Sequence, residues 1–234
     1  MLGDSQATLY AYGYYHQLSS FKVTFGTGSS VMLNLGPKLP ANIDNQLNTS
    51  LAWSRDGQRQ HVLEGNINYA GATITWLKDN LQLITSPSET EALALADSLQ
   101  DETYLILAFS GLGAPYWLPN IQAAFVGMSR SSGKAELVKA ALDSLSYQIT
   151  DILDEFTHQY GQLDDLIHVD GGMIHNRYLM QSLSDFTQKA ITCAATAELS
   201  SLGTALNALN LAPETTTKAP EELATLPILL IPNI

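Results

Sequence analysis

Leu166-Ile-His-Val-Asp170-Gly-Gly172-Met-Ile-His-Asn-Arg-Tyr-Leu-Met-Gln181 is the stretch whose reading decides the rest of the chain. The apolar run Leu166 to Val169 predicts a buried strand, closed by Asp170 and the pair Gly171, Gly172. Ile174, Tyr178, Leu179 and Leu183 recur at helical spacing, which predicts a helix starting just past the glycines. Strand, glycine turn and helix bring a backbone close to a nucleotide, because glycine has no Cβ and a helix start offers unpaired N–H groups. Asp-Gly-Gly is also an ordinary tight turn, so the stretch alone leaves both readings open.

Toward the N-terminus, two alternating runs flank Gly26-Thr27-Gly28-Ser29, the pattern of a hairpin with a glycine-rich turn. Backbone N–H groups and the Thr27 hydroxyl of such a turn can wrap phosphate oxygens. It lacks the lysine of a Walker A loop, which excludes a P-loop protein. Arg55-Asp56-Gly57-Gln58 predicts a second hairpin. A helix follows over Tyr69 to Leu81, with the small residues Ala70, Gly71 and Ala72 at its start. Thr85-Ser-Pro-Ser-Glu89 then breaks the chain and starts an amphipathic helix to about Leu99.

Tyr104 to Phe109 reads as a buried strand, Ser110 to Trp117 as a glycine-rich loop and Ala123 to Met128 as a short strand. Lys134 to Tyr160 is the longest helix, with Leu137, Ala141, Leu145, Ile149, Leu153 and Phe156 as its core stripe. Past the opening stretch come a strand over Ala190 to Ala194 and a small-residue helix over Leu199 to Leu209. At the start, Met1 to Gly3 reads as the end of a strand, and Asp4 as the N-cap of a helix running to about Leu18. Residues 212–234, rich in Thr, Pro and Glu, are expected to lie irregularly over a domain formed by residues 1–211. The mixture is that of an α/β layered domain.

A chain of 234 residues, 45% hydrophobic, can bury a sizeable core. Its net charge of −12 argues against nucleic-acid partners and anionic membrane surfaces, yet permits nucleotide binding through backbone N–H groups. The single cysteine, Cys193, excludes an internal disulfide. With no apolar run of bilayer length and no leader-like start, the expected location is cytoplasmic. The histidines show no i, i+4 pairing or HExxH arrangement, so no metal site made by protein side chains is expected.

Taken in order, Gly3-Asp4-x-Gln6-Ala7, Gly26-Thr27-Gly28, Ala70-Gly71-Ala72, Ser110-Gly-Leu-Gly-Ala-Pro-Tyr-Trp117, Asp170-Gly-Gly172 and Ser201-Leu-Gly-Thr-Ala205 resemble the C-terminal domain of the FGGY carbohydrate kinases. Ala123 to Asp143, with Gly127, Glu136, Ala140, Ala141 and Asp143, is similar to that family's second signature. The resemblance implies a ribonuclease H-like, actin-like ATPase fold and ATP-dependent phosphorylation of a polyol or sugar. It implies Asp4 as catalytic base, Gly26, Thr27 and Gly28 as the phosphate turn, and Gly71 and Gly172 as backbone beside the nucleotide. Asn176 matches a contact at the adenosine end, and Mg²⁺ would be held mainly through phosphates and water, near Asp4.

This chain departs from the glycerol kinases of that family at three positions. Ser5 stands where they have Gln, Ser30 where a Phe packs glycerol, and Thr75 where a Gln lies near the nucleotide. Ser5 and Ser30 are the candidate substrate contacts, and they favour a larger or more polar substrate than glycerol. The resemblance also implies an N-terminal lobe that this sequence does not carry. A split enzyme with a separate N-terminal chain, a truncated product, an excised domain and a non-catalytic remnant serving in assembly all stay open. Tyr10, Tyr12, Tyr14 and Tyr15 crowd the first helix, so an exposed tyrosine face and homodimerisation are expected. By itself the chain is expected to show no kinase activity.

Overall fold

The computed structural model describes residues 3–16, 21–39, 44–55, 57–96, 101–195, 198–211 and 229–233. Its centre is a seven-stranded sheet in the order β3-β4-β2-β1-β7-β8-β9. The strands are β1 (Phe21–Phe25), β2 (Ser29–Gly36), β3 (Asn48–Arg55), β4 (Gln58–Ile67), β7 (Leu166–Gly171), β8 (Ala190–Cys193) and β9 (Leu229–Leu230). Among these described strands, β1 pairs with β7 and β7 with β8 in parallel, and the other pairings are antiparallel. The helices are α1 (Asp4–His16), α2 (Gly71–Asp79), α3 (Glu89–Leu95), α4 (Lys134–Tyr160), α5 (Arg177–Thr187) and α6 (Leu199–Leu211).

Register explains the layers, because paired residues share a face. Phe21, Val23 and Phe25 of β1, with Val31 and Leu33 of β2, fall on one side. Ile167 and Val169 of β7, with Ile191 and Cys193 of β8, fall on that same side. It packs on Leu142, Leu145, Ile149, Ile152 and Phe156 of α4 and on Leu179 and Leu183 of α5 in one continuous core. Glycine at position 65 admits α4 to the sheet, since a Cβ there would stand 2.7 Å from Ile152. The opposite face carries Lys22, Thr24, Ser30, Glu64, His168, Asp170 and Thr192. Over it lie α1, with Leu9 on Met32 and Val62, and α6, which crosses α1 where Gly203 meets the carbonyl of Ala7.

Both hairpins and the long helix lie where the spacing predicts them. Four expectations change. β5 (Tyr104–Ile106) and β6 (Ala124–Val126) form a separate two-stranded sheet, and Tyr104 and Ile106 are exposed, so this run is not a buried central strand. The helix after Gly172 is delayed by a 3₁₀ turn over Gly172–His175, because the Asn176 side chain accepts from Leu179 N at 3.0 Å and caps α5 there. Of the tail, residues 212–228 and 234 lie outside the described residues, and Leu229–Leu230 is not irregular, since β9 adds an antiparallel edge to β8. Asp4 is the first residue of α1 rather than its N-cap, and the Gly3 carbonyl accepts from Ala7 N at 2.8 Å. Met1 and Leu2 lie outside the described residues.

For Tyr10 and Tyr12 the expected exposed face is also overturned. Tyr10 is buried edge-on against Trp53, and Tyr12 packs on His168 while its hydroxyl donates to Val169 O at 3.1 Å. Both therefore complete the packing of α1 on the sheet. The side chains of Tyr14 and Tyr15 lie outside the described residues.

Candidate active site

β1 and β7 run side by side, with Phe25 opposite Gly171, so their carboxyl ends deliver the two glycine turns to one place. In an open α/β sheet that is where ligands bind. Gly26 N donates to Gly28 O at 2.9 Å, closing the first turn on itself. Ala70 N and Ala72 N donate to Thr27 O, and Gly71 N to Gly26 O at 3.0 Å, pinning the turn to the start of α2. The first N–H groups of α2 are thus consumed inside the protein. Gly71 serves the site by closeness, since a Cβ on it would lie 2.7 Å from the Gly26 carbonyl.

A cleft of about 660 Å³ opens over these turns, lined by Gly26, Thr27, Gly71, Thr75, Gly172 and Met173 among others. Its apolar wall is an aromatic group in which Phe109 meets Trp76 and Tyr69 at centroid distances of 4.7 and 5.2 Å. A second cavity of about 620 Å³ shares Gly71, Thr75, Gly172 and Met173 and runs on past Pro87, Ser88, Glu91 and Leu95 of the α3 region to Asn176. The two form one elongated trough, lined by glycines and aromatic rings at one end and walled by α3 at the other.

The glycines are not equivalent. A Cβ on Gly28 would strike the Ile67 carbonyl at 2.6 Å, and Gly171 has φ +100° with the Phe25 carbonyl 2.1 Å from its would-be Cβ. Those two are demanded by the fold. Gly172 has nothing within 4 Å of a built Cβ, and Gly26 meets only Gly28 O at 3.5 Å. Neither is required by its own chain, and both face the trough.

Asn176 lines the second cavity, with its carboxamide already engaged: Oδ1 caps α5 and Nδ2 donates to Thr90 Oγ1 at 2.9 Å. It ties α5 to α3. Asp4 and Ser5 sit at the start of α1, where the Asp4 carbonyl accepts from Thr8 and Ser200 hydroxyls; the Asp4 side chain is exposed and lines neither cavity. Ser30 lies on the polar face of the sheet and donates to Glu64 Oε1 at 2.9 Å. The structure therefore brings Gly26, Thr27, Gly71, Gly172 and Asn176 along one trough and leaves Asp4, Ser5 and Ser30 on the α1 side of the sheet. The α3 wall at Pro87, Ser88 and Glu91 was missed by sequence reasoning, although its Ser-Pro-Ser helix start was visible.

A magnesium ion finds few protein donors in the trough, where Glu91 is the carboxylate among the lining residues. That donor set fits an ion carried by phosphates and water. Among the described residues, Asp44, Glu155 and His158 have ligand atoms within 4.8 Å of one another, and Glu155 and His158 line a different cavity beside Tyr116 and Trp117. Histidine spacing alone could not reveal this group, because Asp44 comes from a distant loop.

A family model described as the C-terminal domain of the FGGY family of carbohydrate kinases matches residues 21–211. Glycerol kinase 1 of Thermotoga maritima is 42% identical over 89% of this chain, which spans 42% of that protein. The glycerol kinase of Pediococcus pentosaceus is 39% identical over 88% of the chain and 40% of its own length. Among solved structures, Plasmodium falciparum glycerol kinase with ADP superposes with a TM-score of 0.78 at 29% identity, over 87% of this chain and 40% of that one. Xylulose kinase from Lactobacillus acidophilus shares the fold, with a TM-score of 0.75 at 16% identity. The chain spans about two-fifths of the length of the curated relatives it matches.

Proposed function

The chain belongs to the FGGY family of carbohydrate kinases, and from that premise we propose that it forms the ATP-binding half of a polyol or sugar kinase. The observation that carries the reading is the trough with two glycines, Gly26 and Gly172, that nothing in the chain itself requires. A nucleotide laid along it has its phosphates over the Gly26–Gly28 turn and the Thr27 hydroxyl, and its base and ribose between Gly172, Asn176 and the α3 wall. The solved Plasmodium falciparum relative with ADP supports the nucleotide class.

In this reading Asp4 accepts the proton of the substrate hydroxyl as its oxygen attacks the γ-phosphate in line. Mg²⁺, carried on the phosphates, neutralises charge when bound. The acid stands on the first turn of α1, on the side of the sheet that also holds Ser30 and Glu64. A hydroxyl and a carboxylate there suit a substrate richer in hydroxyl groups than glycerol. Ser5 follows the base directly and completes that polar side. The other half of the kinase is to be supplied by an N-terminal lobe, so the chain by itself is expected to bind nucleotide without turning over substrate.

Titration calorimetry of the chain with magnesium ADP and ATP tests the reading. Saturable binding to one site, with no polyol phosphorylation, is the expected outcome. A folded chain that takes up neither nucleotide at millimolar concentration contradicts it.

A further inference from the structure

Lys22 is fully buried within the polar face of the sheet. Its ammonium donates to Thr24 Oγ1, and Thr24 Oγ1 donates to Asp170 Oδ2 at 3.1 Å. Thr24 and Asp170 are register partners on β1 and β7. Each is the last polar residue before a glycine turn: Phe25 separates Thr24 from Gly26, and Gly171 separates Asp170 from Gly172. The clasp therefore joins the two strands just before their glycine turns, on the α1 face of the sheet. Glu64, two strands away on the same face, adds a second negative charge and holds Ser30.

Burial holds the Lys22 ammonium below its ordinary value, an effect Asp170 and Glu64 only partly offset, and holds the Asp170 carboxyl above its own, an effect Lys22 and Thr24 only partly offset. Taking an ammonium out of water is costly, and well-packed apolar residues often replace buried ion pairs without loss of stability. The neighbouring Met32 shows that this face accepts an unbranched apolar side chain. Packing does not account for a lysine here. Its charge does: it opposes the Asp170 and Glu64 carboxyls on this face and favours the ionised form of Asp170, which Thr24 clasps.

Resting on the nucleotide reading above, we propose that Lys22 is a positioning residue for ATP, a buried cation that offsets Asp170 and, through Thr24, sets the Gly26–Gly28 turn under the phosphate chain and the Gly171–Gly172 turn beside the ribose. Lys22 lies about 13 Å along β1 from Gly26 by backbone rise, while its ammonium reaches Thr24, two residues short of the turn. At that range one charge in a partly buried setting changes affinity for a phosphate by about tenfold.

A charge effect grows with ligand charge, whereas loosened packing does not. Adenosine, ADP and ATP, the latter two with magnesium, are titrated against wild type, Lys22→Met, Lys22→Arg and Lys22→Met/Asp170→Asn. Lys22→Met should weaken ATP about tenfold and ADP less, and leave adenosine within about twofold. The double variant, with the local charge restored, should recover most of the ATP affinity. Lys22→Arg, which keeps the charge, should stay closer to wild type for ATP than Lys22→Met does. Equal losses for all three ligands, or no loss for ATP, overturn the proposal while leaving the nucleotide reading intact. If neither Met variant folds, Lys22 is a folding residue and the proposal also falls. A wild-type chain that binds no nucleotide sinks the underlying reading, and this one with it.

Discussion

Gly172 and Gly28 look alike as letters, each a glycine in a turn, and the structure separates them. Placing alanine at Gly28 drives a Cβ into the Ile67 carbonyl, so Gly28→Ala should destabilise the fold by about 1–3 kcal/mol. Gly172→Ala meets nothing and should stay within about 0.5 kcal/mol of wild type. Its methyl group stands in the trough, however, and should cost nucleotide affinity by about tenfold. Urea melts and titrations on both variants check the pair, and a Gly172→Ala protein that binds ADP as well as wild type would remove that glycine from the site. Sequence alone showed that these glycines belong to turns. Which of them answers to the fold and which to a ligand depends on atoms from other strands.

At the scale of elements, the segment from Ala123 to Asp143 is architecture. Asp143, buried on α4, accepts from Lys139 Nζ at 3.0 Å, Tyr178 OH at 2.9 Å and Ser182 Oγ at 2.8 Å, and so bolts α5 to α4. Glu136 accepts from Gly133 N at the start of α4, and Gly127 takes a φ of +76° beside β6. Asp143→Ala removes the acceptor that these three donors share and should cost about 3 kcal/mol, read as a shift in the urea midpoint. The start of α3 makes a different prediction. Hydrogen bonds from the Thr85 side chain and backbone, with Lys134 and Ser86 adding to them, hold the Glu89 carboxyl below the usual range. A depressed acid contributes stability above its unfolded pKa of about 4.3 and loses it as pH falls through the lower folded value. Amide exchange at α3 should therefore quicken selectively in that acid window, and Glu89→Gln should abolish the pH dependence. An α3 that exchanges identically across the window contradicts a stabilising role for the Glu89 hydrogen bonds to Thr85 and Ser86.

Across the whole molecule, what was legible in the sequence is what local chemistry dictates. The two hairpins carry glycine turns, and the 27-residue helix α4 carries its own apolar stripe. Less legible was anything set by distant partners. Tyr10 and Tyr12 read as surface aromatics until Trp53 and His168 come to meet them. Tyr104 to Ile106 is apolar enough for a core strand, yet it pairs with β6 outside the main sheet and leaves Tyr104 and Ile106 outward. The polar underside, with Lys22 clasping Thr24 and Asp170, appears only when strand register aligns residues far apart in the chain. The trough depends on the same alignment, since one of its glycine turns comes from β1 and the other from β7.

Because the trough is the premise for everything else, mapping where a nucleotide touches the chain tests the account most directly. Amide resonances followed during titration with magnesium ADP should move at Gly26, Thr27, Gly172 and Ser88, while those of β5 and β6 stay in place. Saturable binding that shifts β5, β6 or the Tyr116–Trp117 cavity, and leaves Gly26 and Gly172 unmoved, would contradict it.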